Sequence, residues 1–284
     1  RLPELVEQAD ADEAVRVIQE HNAKKPLFLY LTFTAPHAPY QAPQEYLDRY
    51  PEIADPTRRA YAAMITAMDD QIGRVVAALD ERGLRDDTLI VFQSDNGGNR
   101  SAMYAGEIDV SKITLPSDNG PYRDGKGSLY EGGTRVVAVA NWPGHIRPGT
   151  VDEVIHMVDV YPTLARLTGA PTARAKPLDG VDVWETISAG KPSPRTEVVY
   201  NVEPFRAGVR QGDWKLVWDT FLPSTVELFD VRADPAEKKN LAAAQPQRVA
   251  ELQARAEELA RQSPQPLFLL EQQKKPGGKP AFPN

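Results

Sequence analysis

An α/β protein with a smaller α+β unit behind it is predicted by three features of the 284-residue sequence. Two continuous apolar runs, "PLFLYLTFT" (26–34) and "TLIVFQ" (88–93), flank one long amphipathic pattern. Apolar runs that do not alternate mark strands covered on both faces, and strand–helix–strand with short joints is the unit of a mostly parallel sheet. From about residue 197 the pattern changes to short alternating runs with tight turns, which reads as antiparallel strands. The expected organisation is a larger α/β part over 1–196, a small α+β unit over 197–262, and a Pro/Gly-rich tail over 263–284.

Each element has its local reason. "ADEAVRVIQEHNA" (11–23) reads as a helix before the first apolar run. The long helix starts at Asp55-Pro56, a capping side chain followed by a first-turn proline. Tyr61, Met64, Ile65, Met68, Ile72, Val75, Val76 and Leu79 recur along one face, and Gly83 supplies a left-handed stop. Residues 96–133 form a long glycine-rich stretch with little periodicity, and loops of that length in compact domains are commonly functional. "TRVVAVANW" (134–142) is a third strand, "VDVYPTLARLTG" (158–169) a helix, and "KPLDGVDVWETISAG" (176–190) a loop leading into a short helix. "EVVYNV", "FRAGVRQGDWKLVWD" and "STVELFDV" supply the antiparallel strands, with Gly212-Asp213 as a tight turn. "QPQRVAELQARAEELARQ" (245–262) is the closing helix.

Composition removes several function classes. A net charge of −7 argues against nucleic acid as the main partner, which calls for a basic face. No run of about 18 apolar residues is present, so no helical membrane span is expected. With no cysteine there is no disulfide, no thiolate metal site and no cysteine nucleophile in this chain. The four histidines are scattered without metal-ligand spacing. The chain opens on Arg1, which raises the expectation of a segment upstream.

Ligands of open parallel sheets bind beyond the carboxyl ends of the strands, and two polar clusters fall there. "APHAP" places His37 after the first run, and "SDNGG" places Asp95 and Asn96 after the second. A carboxylate beside an amide carbonyl offers hard oxygen ligands suited to calcium or magnesium, but Asp-Asn-Gly is equally good turn chemistry. The letters SDNG return at 117–120, with no strand leading in. A third cluster, "YRDGKGSLYEGGTR" (122–135), sets Lys126 between glycines, where its ammonium can meet an anion or lie in solvent.

Taken in order these stretches resemble the type I sulfatases of the alkaline phosphatase superfamily. The likeness runs through "PLFLYLTFTAPHAPYQAPQEYLDRY", "YAAMITAMDDQIGRVVAALDERGLRDDTLIVFQSDNGG", "SDNGPYRDGKGSLYEGGTRV", "DVYPTLARLTG" and "PLDGVDVWETISAGKPSPR". It continues into "RQGDWKLVW" and "VELFDVRADPAEKKNLA", and within the family is greatest to the arylsulfatase B (N-acetylgalactosamine-4-sulfatase) type. The resemblance implies helices packed around a mostly parallel sheet, plus a small C-terminal subdomain with an antiparallel sheet. It implies a sulfuric ester hydrolase acting on a sulfated carbohydrate or aryl sulfate, in the periplasm or outside the cell. It also implies that Asp95 and Asn96 bind a calcium ion (Ca2+), that His37 contacts the sulfate and helps the leaving oxygen, and that Lys126 binds sulfate and the departing group. Arg123 joins His37 and Lys126 as a substrate-binding candidate, and Asp118 and Asn119, where the lysine loop begins, could also touch substrate but are assigned no metal. Glu131 and Arg135 are expected to hold the lysine loop, His156 and Asp159 to be structural or rim positions, and His21 and His145 to lie at the surface.

Part of the family pattern has no counterpart. The family nucleophile is a formylglycine made from cysteine or serine in Cys/Ser-x-Pro-x-Arg, and "KPSPRTE" (191–197) fails that spacing because Arg195 stands where proline is required. Two further aspartate ligands, and a lysine and a histidine between them, are likewise unmatched. The expectation is therefore a C-terminal portion of a sulfatase, with formylglycine supplied by an N-terminal segment, and an isolated chain that neither folds well nor turns over sulfate esters. Two other readings stay open: a phosphonate or phosphodiester hydrolase of the same superfamily, and a non-catalytic sulfatase-like protein that binds sulfated glycans.

Overall fold

The computed structural model describes residues 6–101, 115–172, 176–203, 205–220 and 223–263. It divides into two compact units, Arg1–Arg195 and Thr196–Asn284. The proline- and glycine-rich tail over 264–284 lies outside the described residues.

In the first unit, α1 (Val6–Glu20) packs along α3 (Pro56–Glu81). The contact is close because α3 presents alanines: Ile18 meets Ala78 and Leu79 at one end, while Ala63, Met64 and Ala67 meet Ala42 and Tyr46 at the other. Tyr46 belongs to the short helix α2 (Gln44–Leu47). The ends of α3 are as expected, with the Asp55 carboxylate accepting from the Arg58 N–H (2.7 Å) and Gly83 taking φ +63° beyond the last turn.

Strand β1 (Ile90–Gln93) realises "TLIVFQ" and pairs with β2 (Ala138–Asn141), Ile90 opposite Asn141 and Gln93 opposite Ala138. This pair is antiparallel, and "PLFLYLTFT" (26–34) forms no strand, so the expected parallel strand–helix–strand unit is not made among the described residues. The physical reason is pairing. A strand exists through neighbours that take its N–H and C=O groups, and an apolar run carries no information about where those neighbours are. Phe28 (78% exposed) and Tyr30 (81%) stand clear of the described residues instead of lying in a covered sheet.

Helix α4 (Glu131–Thr134) precedes β2; after it come a 3₁₀ turn (Met157–Asp159), α5 (Val160–Thr168) and α6 (Trp184–Ala189). Both α5 and α6 end on a left-handed glycine, Gly169 and Gly190.

The second unit is a four-stranded antiparallel meander in the order β3 (Glu197–Glu203), β4 (Arg206–Gln211), β5 (Trp214–Asp219), β6 (Thr225–Asp230). Gly212-Asp213 is the β4–β5 turn, with Gln211 opposite Trp214. Helix α7 (Pro246–Gln262) covers one face, where Leu252 and Ala256 pack on Ala207, Val209, Leu216 and Leu228. Lys215 and Glu237 are fully buried in this unit as an ion pair (3.0 Å), with the Lys215 Nζ 4.4 Å from the centre of the Tyr200 ring.

Candidate functional site

One cleft of about 710 Å³ in the first unit is lined by His37, Asp95, Asn96 and Lys126, which come from three separate stretches of chain. Residues 33–43 form one wall, the loop 94–99 after β1 another, and Lys126 reaches in from the glycine-rich loop. Phe33, Tyr40 and Tyr61 add aromatic surface, the two tyrosine rings meeting edge to face at 5.9 Å. Burial pushes the Tyr61 phenol above its ordinary range, so it is neutral at physiological pH.

The His37 ring is oriented by its own loop. Its Nδ1 lies 2.8 Å from the Ala38 carbonyl oxygen, and since a carbonyl only accepts, Nδ1 carries the proton. Nε2 is therefore the nitrogen left to accept from a ligand in the neutral ring and to donate to one in the imidazolium. The loop is braced by Glu7, 5% exposed at the start of α1, whose carboxylate accepts from Thr34 Oγ1 (2.5 Å) and the Ala35 N–H (2.8 Å). Glu7 also lines the cleft. Sequence reasoning missed it, and no local signal marks one acidic residue among the many of a polar opening segment as the buried one.

Asp95 and Asn96 follow β1 at once. The backbone N–H of Asn96 bonds the Asp95 Oδ1 (2.9 Å), and the Asn96 Nδ2 donates to the Gly97 carbonyl (2.9 Å), which leaves the amide Oδ1 as the acceptor of that side chain. The loop is locked against the lysine loop by backbone bonds from Gly97 N to Gly133 O (3.0 Å) and from Lys126 N to Gly98 O (3.1 Å). The approach tolerates no side chain: a Cβ on Gly97 would stand 1.7 Å from the Gly132 oxygen, and one on Gly125 would stand 2.1 Å from the Gly98 oxygen.

The donor set fits a hard cation in part. Asp95 and Asn96 offer oxygen atoms of the right kind, against the six to eight that calcium takes. Among the described residues no group of three or more His, Cys, Asp or Glu side chains is placed to hold a metal.

The other candidates fall outside the cleft lining. Arg123 lays its guanidinium over the Tyr130 ring, 3.8 Å from its centre. Glu131 is buried beneath the lysine loop, 3.8 Å from Arg135. The second SDNG makes turn chemistry at Asp118, whose Oδ1 accepts from the Gly120 N–H (2.9 Å). Ser193 of "KPSPRTE" donates to the Val154 carbonyl, and Arg195 bonds Asp159, so that stretch is built into the fold. His156 caps the 3₁₀ turn, and His145 is exposed with its ring centre 4.1 Å from that of Trp142, the two planes tilted by 32°.

Known proteins place the chain. Residues 6–170 match the family Sulfatase, and residues 122–263 match the family N-sulphoglucosamine sulphohydrolase, C-terminal. The chain belongs to the sulfatase family, with the alkaline phosphatase-like α/β fold of that family. It is 36% identical over 217 residues to arylsulfatase J of Mus musculus, covering 75% of this chain and 34% of that one. It is 29% identical over 230 residues to N-acetylgalactosamine-6-sulfatase of Mus musculus, covering 77% of this chain and 41% of that one. Among solved structures it is similar to Ps i-CgsB in complex with k-i-k-neocarrahexaose, with a TM-score of 0.78 and 30% identity over 90% of this chain and 55% of that one. The chain thus spans between a third and about half of these relatives.

Proposed function

We propose that this chain forms one side of the active site of a sulfuric ester hydrolase acting on a sulfated carbohydrate or aryl sulfate. The observation that carries the reading is the convergence of His37, Asp95, Asn96 and Lys126 on one cleft from three separated stretches. A sulfate ester needs positive charge against its non-bridging oxygens and a proton for the departing alcohol. The Lys126 ammonium supplies the first. His37, whose Nδ1 is tied to the Ala38 carbonyl, would deliver the second from Nε2 in its imidazolium form, becoming the neutral ring. Asp95 and Asn96 would hold calcium through oxygen atoms, and a bound ion would supply further positive charge at the cleft. In the net reaction, water and the ester give an alcohol and sulfate, with the S–O bond to the alcohol broken and one proton passed to the alcohol oxygen.

The remaining calcium ligands and the formylglycine nucleophile come, in this reading, from a segment preceding this chain. The short share of each relative that the chain covers supports this. A sulfated glycan is favoured by the aromatic wall of Phe33, Tyr40 and Tyr61, which suits the apolar face of a sugar ring, and by the k-i-k-neocarrahexaose held in the similar Ps i-CgsB complex. A periplasmic or extracellular site of action suits such a substrate.

Matched sulfate and phosphate esters of one alcohol, given to the full-length protein, test the reaction. Sulfate hydrolysis should exceed phosphate hydrolysis by at least about tenfold in kcat/KM, and mass spectrometry of the upstream peptide should show formylglycine. The reverse preference would favour the phosphonate or phosphodiester hydrolase, a reading kept because a phosphonate monoester hydrolase shares the fold at a TM-score of 0.59. Glycan binding without either hydrolysis, and an unmodified residue upstream, would make the protein a binding module.

A further inference from the structure

We infer that Asn119, in the second SDNG, is the positioning residue that holds the Asp95–Asn96 pair and Lys126 in one register, through the Gly98 peptide. Its side-chain Oδ1 accepts from the Gly98 N–H (2.8 Å), and its Nδ2 donates to the Gly98 carbonyl (3.1 Å) and to the Asp124 carbonyl (2.7 Å). The same Gly98 carbonyl accepts from the Lys126 N–H at 3.1 Å. Gly98 lies two residues after Asn96, and Asp124 two residues before Lys126. One amide therefore grips the chain next to both halves of the site, while Asn119 itself is not among the residues lining the cleft.

Chemistry fixes the identity of the residue. A backbone N–H requires an acceptor and the two carbonyls require donors, so only a side chain with one of each satisfies all three. A flipped amide would set oxygen against two carbonyl oxygens, and so would an aspartate. The neighbouring stretch reinforces the register: the buried Ser117 donates to the Asn99 carbonyl, and Arg100 Nη1 donates to the Ser117 carbonyl at 3.1 Å. The repeat of the four letters thus has a use. The first copy presents ligands and the second clamps the first to the lysine loop.

The inference rests on the proposed sulfatase site and makes a claim that site alone does not: loosening Asn119 weakens cation and anion binding together. An asparagine that only stabilises a loop would lower the melting temperature and leave both affinities alone. The test uses the full-length protein, stripped with a chelator, and three variants: Asn119→Ala, Asn119→Asp and, as a control for lost stability, Leu252→Ala in the second unit. Calcium alone and inorganic sulfate in the presence of calcium are each titrated by calorimetry, and kcat and KM are measured for para-nitrophenyl sulfate. Asn119→Ala and Asn119→Asp are expected to weaken both calcium and sulfate by about tenfold and to lower kcat, since small misplacements of a site cost that much or more. Leu252→Ala should lower the melting temperature with both affinities unchanged. Asn119→Asp keeps the size of the side chain and serves if the alanine variant fails to fold. Wild-type affinity for either ligand in the Asn119 variants overturns the inference, because the shared clamp would then serve at most one loop. Failure of the sulfatase reading is a separate outcome: it shows in the wild type, as absence of hydrolysis, whereas the titrations need no turnover. A wild type that binds neither ligand overturns both.

Discussion

Asp159 shows how much one side chain can hold in this protein. It is fully buried, and its two oxygens take the Arg195 guanidinium (Nε at 2.8 Å) and the backbone N–H groups of His156 (2.8 Å) and Val181 (2.9 Å). Burial alone would raise its pKa, but the bonds from Arg195, Val181 and His156 outweigh it and hold the carboxyl below its ordinary value. An unfolded aspartate titrates near ~3.9, so the pair contributes fully above that pH, and its contribution is lost as pH falls through the lower folded value. Acid unfolding followed by circular dichroism should therefore steepen below about pH 4, and Asp159→Asn should flatten that limb. Asp159→Ala leaves Arg195 buried without its counter-ion and should cost about 3–5 kcal/mol by urea unfolding; a loss under about 1 kcal/mol would contradict this role for the pair. His37, Asp95, Asn96 and Lys126 were candidates in the sequence through the order of their short stretches rather than through any one of them, and the structure brings all four to one cleft. The sequence was silent at Glu7, whose partners Thr34 and Ala35 are far away in the chain, and it offered Asn119 only as a residue that could touch substrate, whereas its side chain grips Gly98.

Elements were legible in proportion to how local their causes are. The helix α3 announces both ends, and Asp55→Ala should lower stability by about 1 kcal/mol, read as a shift in thermal midpoint, by freeing the Arg58 N–H. Alternation and a Gly-Asp turn likewise declare the β3–β6 meander, and the apolar stripe of α7 that covers it follows from helical period. Leu252→Ala there should cost about 2–5 kcal/mol, with a melting temperature unchanged from wild type contradicting the packing described. The run 26–34 misleads because its letters report only that it is apolar. Whether such a run becomes a strand is decided by neighbours, and parallel or antiparallel pairing of β1 was decided by β2, which follows it by more than forty residues.

At the scale of the molecule, an acidic chain with a net charge of −7 brings Lys126 and His37 to one cleft together with Glu7, Asp95 and Asn96. In the proposed reading, a cation held by Asp95 and Asn96 would offset those carboxylates where an anionic ester enters. The chain belongs to the sulfatase family and spans a third to about half of the relatives to which it is similar, so in the proposed reading the complete site is a property of the longer protein. The most direct test is the rate of para-nitrophenyl sulfate hydrolysis by the full-length protein and its Lys126→Ala variant. The wild type is predicted to show calcium-dependent turnover, and removal of the ammonium to lower kcat/KM by at least about a hundredfold. A variant as fast as the wild type would contradict the claim that this cleft is where the sulfate ester is broken.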